Sequence, residues 1–472
     1  MKSVSDYTIL MNLFIMSDNV YYVIMFFIFK VQNRKSIMNQ PNTLRTGMIG
    51  LGMIFEDTYL PFFENCLRQP LFDSRFGVVQ PRLLATGTRT RDRLSKYASH
   101  PIWMDSPIGT PNSEKNQPPK ALVGLDSGSL VARENLDVVC VATPDNLHYE
   151  PALEALKNRK HLVIEKPSVL TLQQLDTLVQ AATENEVVAK VVYHKLLDPD
   201  HKKLRTHVID GNLKHVNSGY CTLLEPRQIS SSQFAQWIAG RNPATYVAVH
   251  YLKLIDFTFG NDWSLSRISA TGQRGIVDSP SSSTWDSVQL QVVYTHPDQR
   301  EAAFDIHTSW VNPDNFPGYV DQEVQFRFDN GIWSAHQRKR GVEVAIEGRT
   351  PKEIKETPNH HYSTPFLEPW GERSRRGYGI EAIERIFREI AYVEFGGPVS
   401  ERSNRLDQIN SLNYNDLRAD RNCVAIVQSL EAILNQHVQG QPSCMVEVNG
   451  PKGGLVLYSR KGDCEILYSE RV

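Results

Sequence analysis

The sequence predicts an α/β fold: a doubly wound parallel sheet first, then an α/β region built on an open sheet. Three observations predict it. A short strand candidate, Leu44–Ile49, runs into a Gly50-Leu51-Gly52 turn. Apolar runs of strand length then alternate with amphipathic helical segments across short joins, as parallel strands with crossover helices require. Further on, Ser218–Leu224, Ser287–Tyr294, Ala302–Val311 and Glu323–Phe328 alternate apolar and polar residues. That is the pattern of a sheet with one solvated face.

The chain of 472 residues is long enough for two sizeable domains. It is 41% apolar and 22% charged, with a formal net charge of −2, an ordinary globular composition. No basic block stands out, which argues against nucleic acid as a partner. The six cysteines are scattered with no CxxC spacing, so we expect reduced thiols and no metal. Tyr7–Phe29 is strongly apolar and long enough to span a bilayer. Asp18 near its middle costs about 2.5–3.5 kcal/mol on insertion, and no small-residue cleavage site follows. We read residues 1–38 as an extension outside the fold and expect a cytoplasmic protein. Membrane contact arises only if residues 7–29 are a real anchor, and Lys30, Arg34 and Lys35 would then keep the rest cytoplasmic.

In Gly50-Leu51-Gly52-Met53-Ile54-Phe55 two glycines permit a tight turn and close approach to a pyrophosphate. Phe55 replaces the third glycine, so helix and strand should pack more widely there. The second strand, Leu83–Thr86, ends in Gly87-Thr88-Arg89. An acid normally meets the ribose hydroxyls at this strand end. A hydroxyl and an arginine suit a 2′-phosphate instead, so NADP is slightly favoured over NAD. The alternative is a solvated Arg89 before a helix over Asp92–Ala98. Ser106–Lys120 reads as a surface insertion. Leu136–Thr143 is an apolar strand closed by Pro144-Asp145-Asn146-Leu147-His148, and a helix over Tyr149–Asn158 follows. His161–Pro167 is the next strand. It delivers Glu165 and Lys166 side by side at its carboxyl end, where open α/β sheets bind ligands, and Pro167 stops it. Leu172–Asn185 and Val187–Val192 supply the next helix and strand.

Together, Gly50-Leu51-Gly52, Ala142-Thr143-Pro144-Asp145-Asn146-Leu147-His148 and Glu165-Lys166-Pro167 resemble the glucose–fructose oxidoreductase, inositol dehydrogenase and rhizopine-catabolism (Gfo/Idh/MocA) family. The resemblance covers roughly Asn42 to His437 and is faint in the second half. It implies an NAD(P)-binding Rossmann domain over residues 39–192. A C-terminal substrate and oligomerisation domain would follow over residues 193–472, with a large open, mostly antiparallel sheet. It implies a homo-oligomer and a hydride transfer between nicotinamide and a sugar- or cyclitol-like hydroxyl. Relatives that hold NAD permanently and cleave glycosides, and others that act as sugar or nucleotide sensors, supply the alternatives.

By the resemblance, Gly50, Gly52, Met53, Ile54, Thr88, Arg89, Thr143, Pro144, Asn146, His148, Glu165 and Lys166 face the cofactor. Lys166 lies between nicotinamide and substrate, where its ammonium stabilises charge on a reacting oxygen. His148 has a local structural role as its alternative. His250 matches the histidine of an Asp-x-Gly-x-His motif, the family's general acid/base, and is expected to take the hydroxyl proton. Tyr246 stands at the aspartate, Ala248 at the glycine and Lys253 where a second aspartate often follows. Tyr246 shares a helix face with His250. Tyr193, His194, Lys195, Tyr246 and Trp237 are candidates for the substrate; a linker role for the first three and a core role for Trp237 are the alternatives.

Helices are expected over Asp200–Val208, Asn242–Gly260, Gly379–Phe395 and Leu417–Gln436, and a hairpin turn at Asn330-Gly331. Asn359–Tyr378 is too irregular for an element and reads as a loop entering the site or a subunit contact. Leu455–Tyr458 and Glu465–Tyr468 are strand candidates with no assigned place.

Overall fold

The computed structural model describes residues 41–97, 100, 119–228, 230, 238–316, 320–338, 340, 342, 344–346, 354–356, 359–441, 444–449, 454–459 and 461–469. The apolar segment 7–29, nearly all of the 106–120 insertion and Trp237 lie outside the described residues. Among the described residues, no helix is long and apolar enough to cross a membrane.

The first sheet holds β1 (Asn42–Ile49), β2 (Leu71–Asp73), β3 (Gly77–Thr88), β4 (Lys120–Val123), β5 (Val138–Val141), β6 (His161–Glu165) and β7 (Ala189–Val192). Six run parallel in the order β4-β3-β1-β5-β6-β7, and β2 folds back antiparallel on the first part of β3. Every residue of β5, β6 and β7 is buried. Helices cover both faces, which is why these strands read as unbroken apolar runs. The joining helices are α1 (Leu60–Arg68), α2 (Arg91–Ser95), α3 (Ser127–Arg133), α4 (Tyr149–Lys157) and α5 (Leu172–Glu184). In α5 the buried set is Leu172, Leu175, Leu178 and Ala181, a three-residue stripe, and Thr171 caps its start. Strand order reverses between β1 and β5, so the Gly50 turn and Thr143 stand at the switch point where such sheets bind ligands.

After a short 3-10 turn at His194–Leu197, α6 (Pro199–Ile209) begins with Asp198 as its cap and a proline in its first turn. The second sheet has nine strands. They are β8 (Val216–Pro226), β9 (Ser264–Gln273), β10 (Ser287–Thr295), β11 (Glu301–Asn312), β12 (Asp321–Phe328), β13 (Gly331–Ala335), and, from the chain's end, three strands that follow below. Two small hairpins intervene, β14 (Val344–Ile346) with β15 (Ile354–Glu356), and β16 (Thr364–Leu367) with β17 (Arg373–Arg376). The final strands β18 (Met445–Asn449), β19 (Gly454–Tyr458) and β20 (Cys464–Tyr468) join the sheet beside β9. All pairs are antiparallel except β8 with β11. Helix α7 (Val249–Phe259) lies on the apolar face, with Phe259 stacked on Phe304 at 5.6 Å.

Three long elements complete the chain: α8 (Tyr378–Phe395), α9 (Arg402–Asn410) and α10 (Arg421–Val438). Ile380, Ile383, Phe387 and Ile390 of α8 share one core with Met48, Phe62, Phe63 and Val163 of the first sheet and its helices. Each such buried side chain contributes about 1.5–3 kcal/mol. The first sheet is therefore covered by residues far beyond 192. The expected Asn330-Gly331 turn is displaced by one residue: Phe328 pairs with Gly331, so Asp329 and Asn330 form the loop. The stretch 359–378, expected to be irregular, contains the β16–β17 hairpin.

Candidate active site

The glycine turn is fixed by sterics. Gly50 has φ +94°, and a Cβ there would stand 2.3 Å from Ala142 O. Its N–H donates to Gly87 O (2.9 Å), joining the ends of β1 and β3. A Cβ on Gly52 would meet nothing within 4 Å, so the backbone there faces open space. Phe55, in the third glycine's place, is fully buried edge-on to Tyr97 at 5.3 Å. The helix accommodates it with a wide π turn over Phe55–Tyr59 ahead of α1. Met53 packs against Trp310 and Ile238. Ile54 is half-buried. Thr88 is buried at the end of β3, and Arg89 beside it is exposed. Thr143 Oγ1 is buried with no bonding partner, Pro144 is half-buried and Asn146 is exposed at the same sheet end. An open face at Gly52 and an orphaned hydroxyl at the switch point fit a dinucleotide.

His148 has its two ring nitrogens against Thr143 O (2.8 Å) and Pro167 O (2.9 Å). It thus clamps the end of β5 to the exit of β6. Burial pushes its pKa down, against the pull of Asp145 and the carbonyls.

Lys166 leaves β6 half-buried and donates to Tyr246 O at 2.8 Å. Its ammonium stands 4.1 Å from the centre of the Tyr246 ring. Tyr246 lies in a second π turn, Ala244–Ala248, that leads into α7. Among the described residues Lys166 has no carboxylate within 4.0 Å. Burial pushes its pKa down, and Glu165, Glu225 and Asp145 pull it back in that order. Glu165 receives the Tyr59 hydroxyl (3.1 Å), and burial raises it to about 7. Asp145 is held by the Arg241 guanidinium.

His250 faces this ammonium from α7. Its Nδ1 is buried and unpartnered. Burial, then Lys166, His194, Lys195 and His201, push its pKa well below the usual histidine range. His194 lies against it, ring centres 5.9 Å apart, and also against Tyr362 at 5.6 Å. Burial lowers His194 to about 3, with Lys166 and Lys195 adding to it. The two imidazoles are therefore neutral at pH 7. Tyr193 touches the edge of His250 with its ring, but its hydroxyl turns away to Asp420 (2.6 Å). Lys195 also turns away, onto Gln337 (3.0 Å) and Gln322.

The structure thus brings Lys166, His194, His250 and Tyr246 together, and Met53, next after the glycine turn, packs with Tyr246 against the Ile238 and Trp310 cluster. Sequence reasoning missed Tyr59, Glu225, Trp310 and Tyr362. Glu225 carried a readable signal, an acid at an inward position of an otherwise apolar alternation, Cys221, Leu223, Glu225. Tyr362 lay in a stretch already expected to reach the site.

Residues 44–193 match a family model described as "Oxidoreductase family, NAD-binding Rossmann fold", the Gfo/Idh/MocA group. The chain is 32% identical over 83 residues to scyllo-inositol 2-dehydrogenase (NADP(+)) of Bacillus subtilis, covering 18% of this chain and 23% of that protein. It is 25% identical over 155 residues to 1,5-anhydro-D-fructose reductase of Ensifer adhaerens, covering 32% and 46%. The chain therefore spans less than half the length of these curated relatives. Among solved structures, scyllo-inositol dehydrogenase from Lactobacillus casei, with bound NAD(H) and scyllo-inositol, aligns with a TM-score of 0.55 at 12% identity, over 86% of this chain and 99% of that one. An inositol dehydrogenase homolog from Azotobacter vinelandii, complexed with NADH and myo-inositol, gives 0.56 at 17%, over 84% and 96%. At these identities the likeness is one of fold.

Proposed function

Because the chain belongs, through residues 44–193, to the Gfo/Idh/MocA oxidoreductase family, we propose that it moves a hydride between a nicotinamide cofactor and a secondary hydroxyl of a sugar or cyclitol. The observation that carries this reading is the setting of Lys166. Its ammonium is held by a carbonyl and a ring face, not by an ion pair, beside two neutral imidazoles. Such a charge stays available to an incoming oxygen. Gly50, Gly52 and Thr143 would hold the dinucleotide, whose nicotinamide accepts or donates the hydride when bound. Lys166 donates to the reacting oxygen. His250, neutral, offers its unpartnered Nδ1 to the same oxygen and orients it. Burial, with the Lys166 and Lys195 ammonium groups adding to it, disfavours imidazolium, which makes it a weak proton acceptor, contrary to the role its position suggests in the sequence.

We assign NADP over NAD on Arg89, exposed at the end of β3 with a buried hydroxyl and no acid beside it. The cytoplasm is the compartment we assign, on cysteines that are all unpaired. The test is fluorescence titration with NADH and NADPH, followed by a polyol and sugar panel read by nicotinamide absorbance. Binding with turnover of at least one cyclitol or sugar supports the reading. Cofactor binding without turnover across the panel points to a sensor, and NAD retained with no net reduction points to glycoside cleavage.

A further inference from the structure

Three carboxylates act on the Lys166 ammonium, and two are already engaged. Glu165 receives the Tyr59 hydroxyl and Asp145 the Arg241 guanidinium. The third, Glu225, ends strand β8 at 7% exposure, and its Oε2 is buried without a hydrogen-bond partner. The neighbouring Trp310 N–H holds the carboxyl's pKa down a little but makes no full hydrogen bond to it. A shift in strand register fixes this place: the pairing of β8 with β11 slips between Ser309 and Asn312, where Trp310 lies fully buried. Trp310 forms with Ile238 a small cluster against which Met53 of the glycine turn and Tyr246 pack. Glu225 therefore stands near the residues that join the glycine turn, the Lys166 ammonium and the π turn.

Resting on the dehydrogenase reading above, we propose that the Glu225 carboxylate is the group that takes the hydroxyl proton. In the oxidation direction the substrate C–H bond breaks, and its electron pair leaves with the hydride for the oxidised nicotinamide. The O–H bond breaks, its proton going to Glu225 and its electrons forming the carbonyl π bond. The carbon would be oxidised at the expense of the cofactor, which when bound would take up the hydride, and one proton rests on Glu225 until it exchanges with solvent. The electrostatics agree. Burial raises Glu225 to about 7 against the pull of Lys166 and Trp310, near the value that a base working at neutral pH needs. The charged or titratable neighbours around that ammonium are Glu165, Asp145, His194 and His250.

Glu225→Gln keeps the shape and removes the base. It should lower kcat by about 100-fold or more and flatten the acid limb of the kcat–pH profile. NADH affinity should stay within about twofold, which also checks the fold. Glu225→Asp should recover part of the rate. A second readout needs no substrate: infrared titration of the carboxyl groups, wild type minus Glu225→Gln, should show one carboxyl titrating close to neutrality. A variant with wild-type rate and an unchanged limb, or a difference band titrating in the ordinary carboxylate range, overturns the assignment while leaving the dehydrogenase reading intact. A wild type that binds NADH and turns over nothing on the panel overturns both.

Discussion

A lysine that meets a reacting oxygen and a lysine that merely ends a strand differ in what their removal costs. Lys166 donates to a carbonyl and faces a ring, so Lys166→Ala removes a charge from the site without breaking a close ion pair, although burial then raises the Glu225 carboxyl with less to oppose it. The hydride-transfer rate should fall by about 10²–10³-fold in stopped-flow absorbance, with NADH affinity nearly unchanged. A rate within twofold of wild type would remove Lys166 from the chemistry. Arg89 belongs to a separate question. Arg89→Ala should weaken NADPH by about 10-fold or more and leave NADH alone, since a charge-assisted bond to a phosphate is worth about 1.5–3 kcal/mol. Equal losses in the two titrations would withdraw the 2′-phosphate role. At this scale the sequence was legible where a motif is contiguous, as in Gly50-x-Gly52 and Glu165-Lys166-Pro167. It was poorly legible where the partner comes from elsewhere in the chain. Glu225 is 59 positions from Lys166 by sequence number; its inward place in the alternation of β8 was readable, but nothing in that alternation says what the end of the strand meets. His194 could not be told from Tyr193 and Lys195 until the 3-10 turn laid its ring beside His250, while the Tyr193 hydroxyl turned to Asp420 and Lys195 to Gln337.

Between elements, one joint is electrostatic and can be titrated. Glu394 near the end of α8 meets His161 Nε2 of β6 at 2.9 Å and the Arg402 guanidinium of α9 at 2.7 Å. Burial raises its pKa, but His161 and Arg402 together outweigh that and hold it down to about 2. A depressed carboxylate stabilises the fold above its unfolded value of about 4.3, and that contribution is lost as pH falls from there toward the folded value. Glu394→Gln should therefore cost about 1–2 kcal/mol in urea unfolding at neutral pH. The gap to wild type should hold steady down to about pH 5.5 and narrow by pH 4. A gap that is constant across the whole range would make the loss one of packing and not of charge. Helix α8 was legible as an element because its apolar residues recur at helical spacing, yet nothing in that spacing says which sheet it covers. Strand β9 was not legible: Ser264–Gln273 carries polar residues on one face and only Leu265, Ile268 and Ala270 buried on the other, too thin an alternation to mark a central strand. Strands β19 and β20 were legible as strands but had no address, and β18 was not read as a strand at all, because a sheet edge accepts an added strand through backbone groups that carry no sequence signature.

Over the whole molecule, two sets of buried groups oppose each other in acid. His148, His194, His201 and His250 are held neutral by burial, His194 and His201 down to about 3. Below the unfolded value of about 6.5 the unfolded chain binds protons that the folded chain refuses, so these four contribute stability that is lost as pH falls from there. Glu165 and Glu225 are raised to about 7 and Asp420 to about 6, in each case chiefly by burial. Their sign is reversed: on acidification the folded state binds their protons first, which favours folding until the unfolded carboxylates near pH 4 also fill. Near neutrality the two sets nearly cancel. Further down, the carboxyls of the folded state are saturated while the histidines of the unfolded state go on taking protons, and the balance tips. The thermal midpoint of wild type should accordingly stay level between about pH 7.5 and 6.5 and then fall with a steepening slope toward pH 4. Histidines alone would give a fall already under way at pH 7 that steepens through pH 6.5 and holds a constant slope below about pH 5.5, and carboxyls alone a rise as the pH drops; scanning calorimetry across that range separates the three. At the site the charges are met differently: Asp145 is neutralised by the Arg241 guanidinium, Glu165 takes the Tyr59 hydroxyl and burial leaves the two imidazoles neutral, so the Lys166 ammonium itself needs no ion pair that would occupy the space a substrate hydroxyl needs.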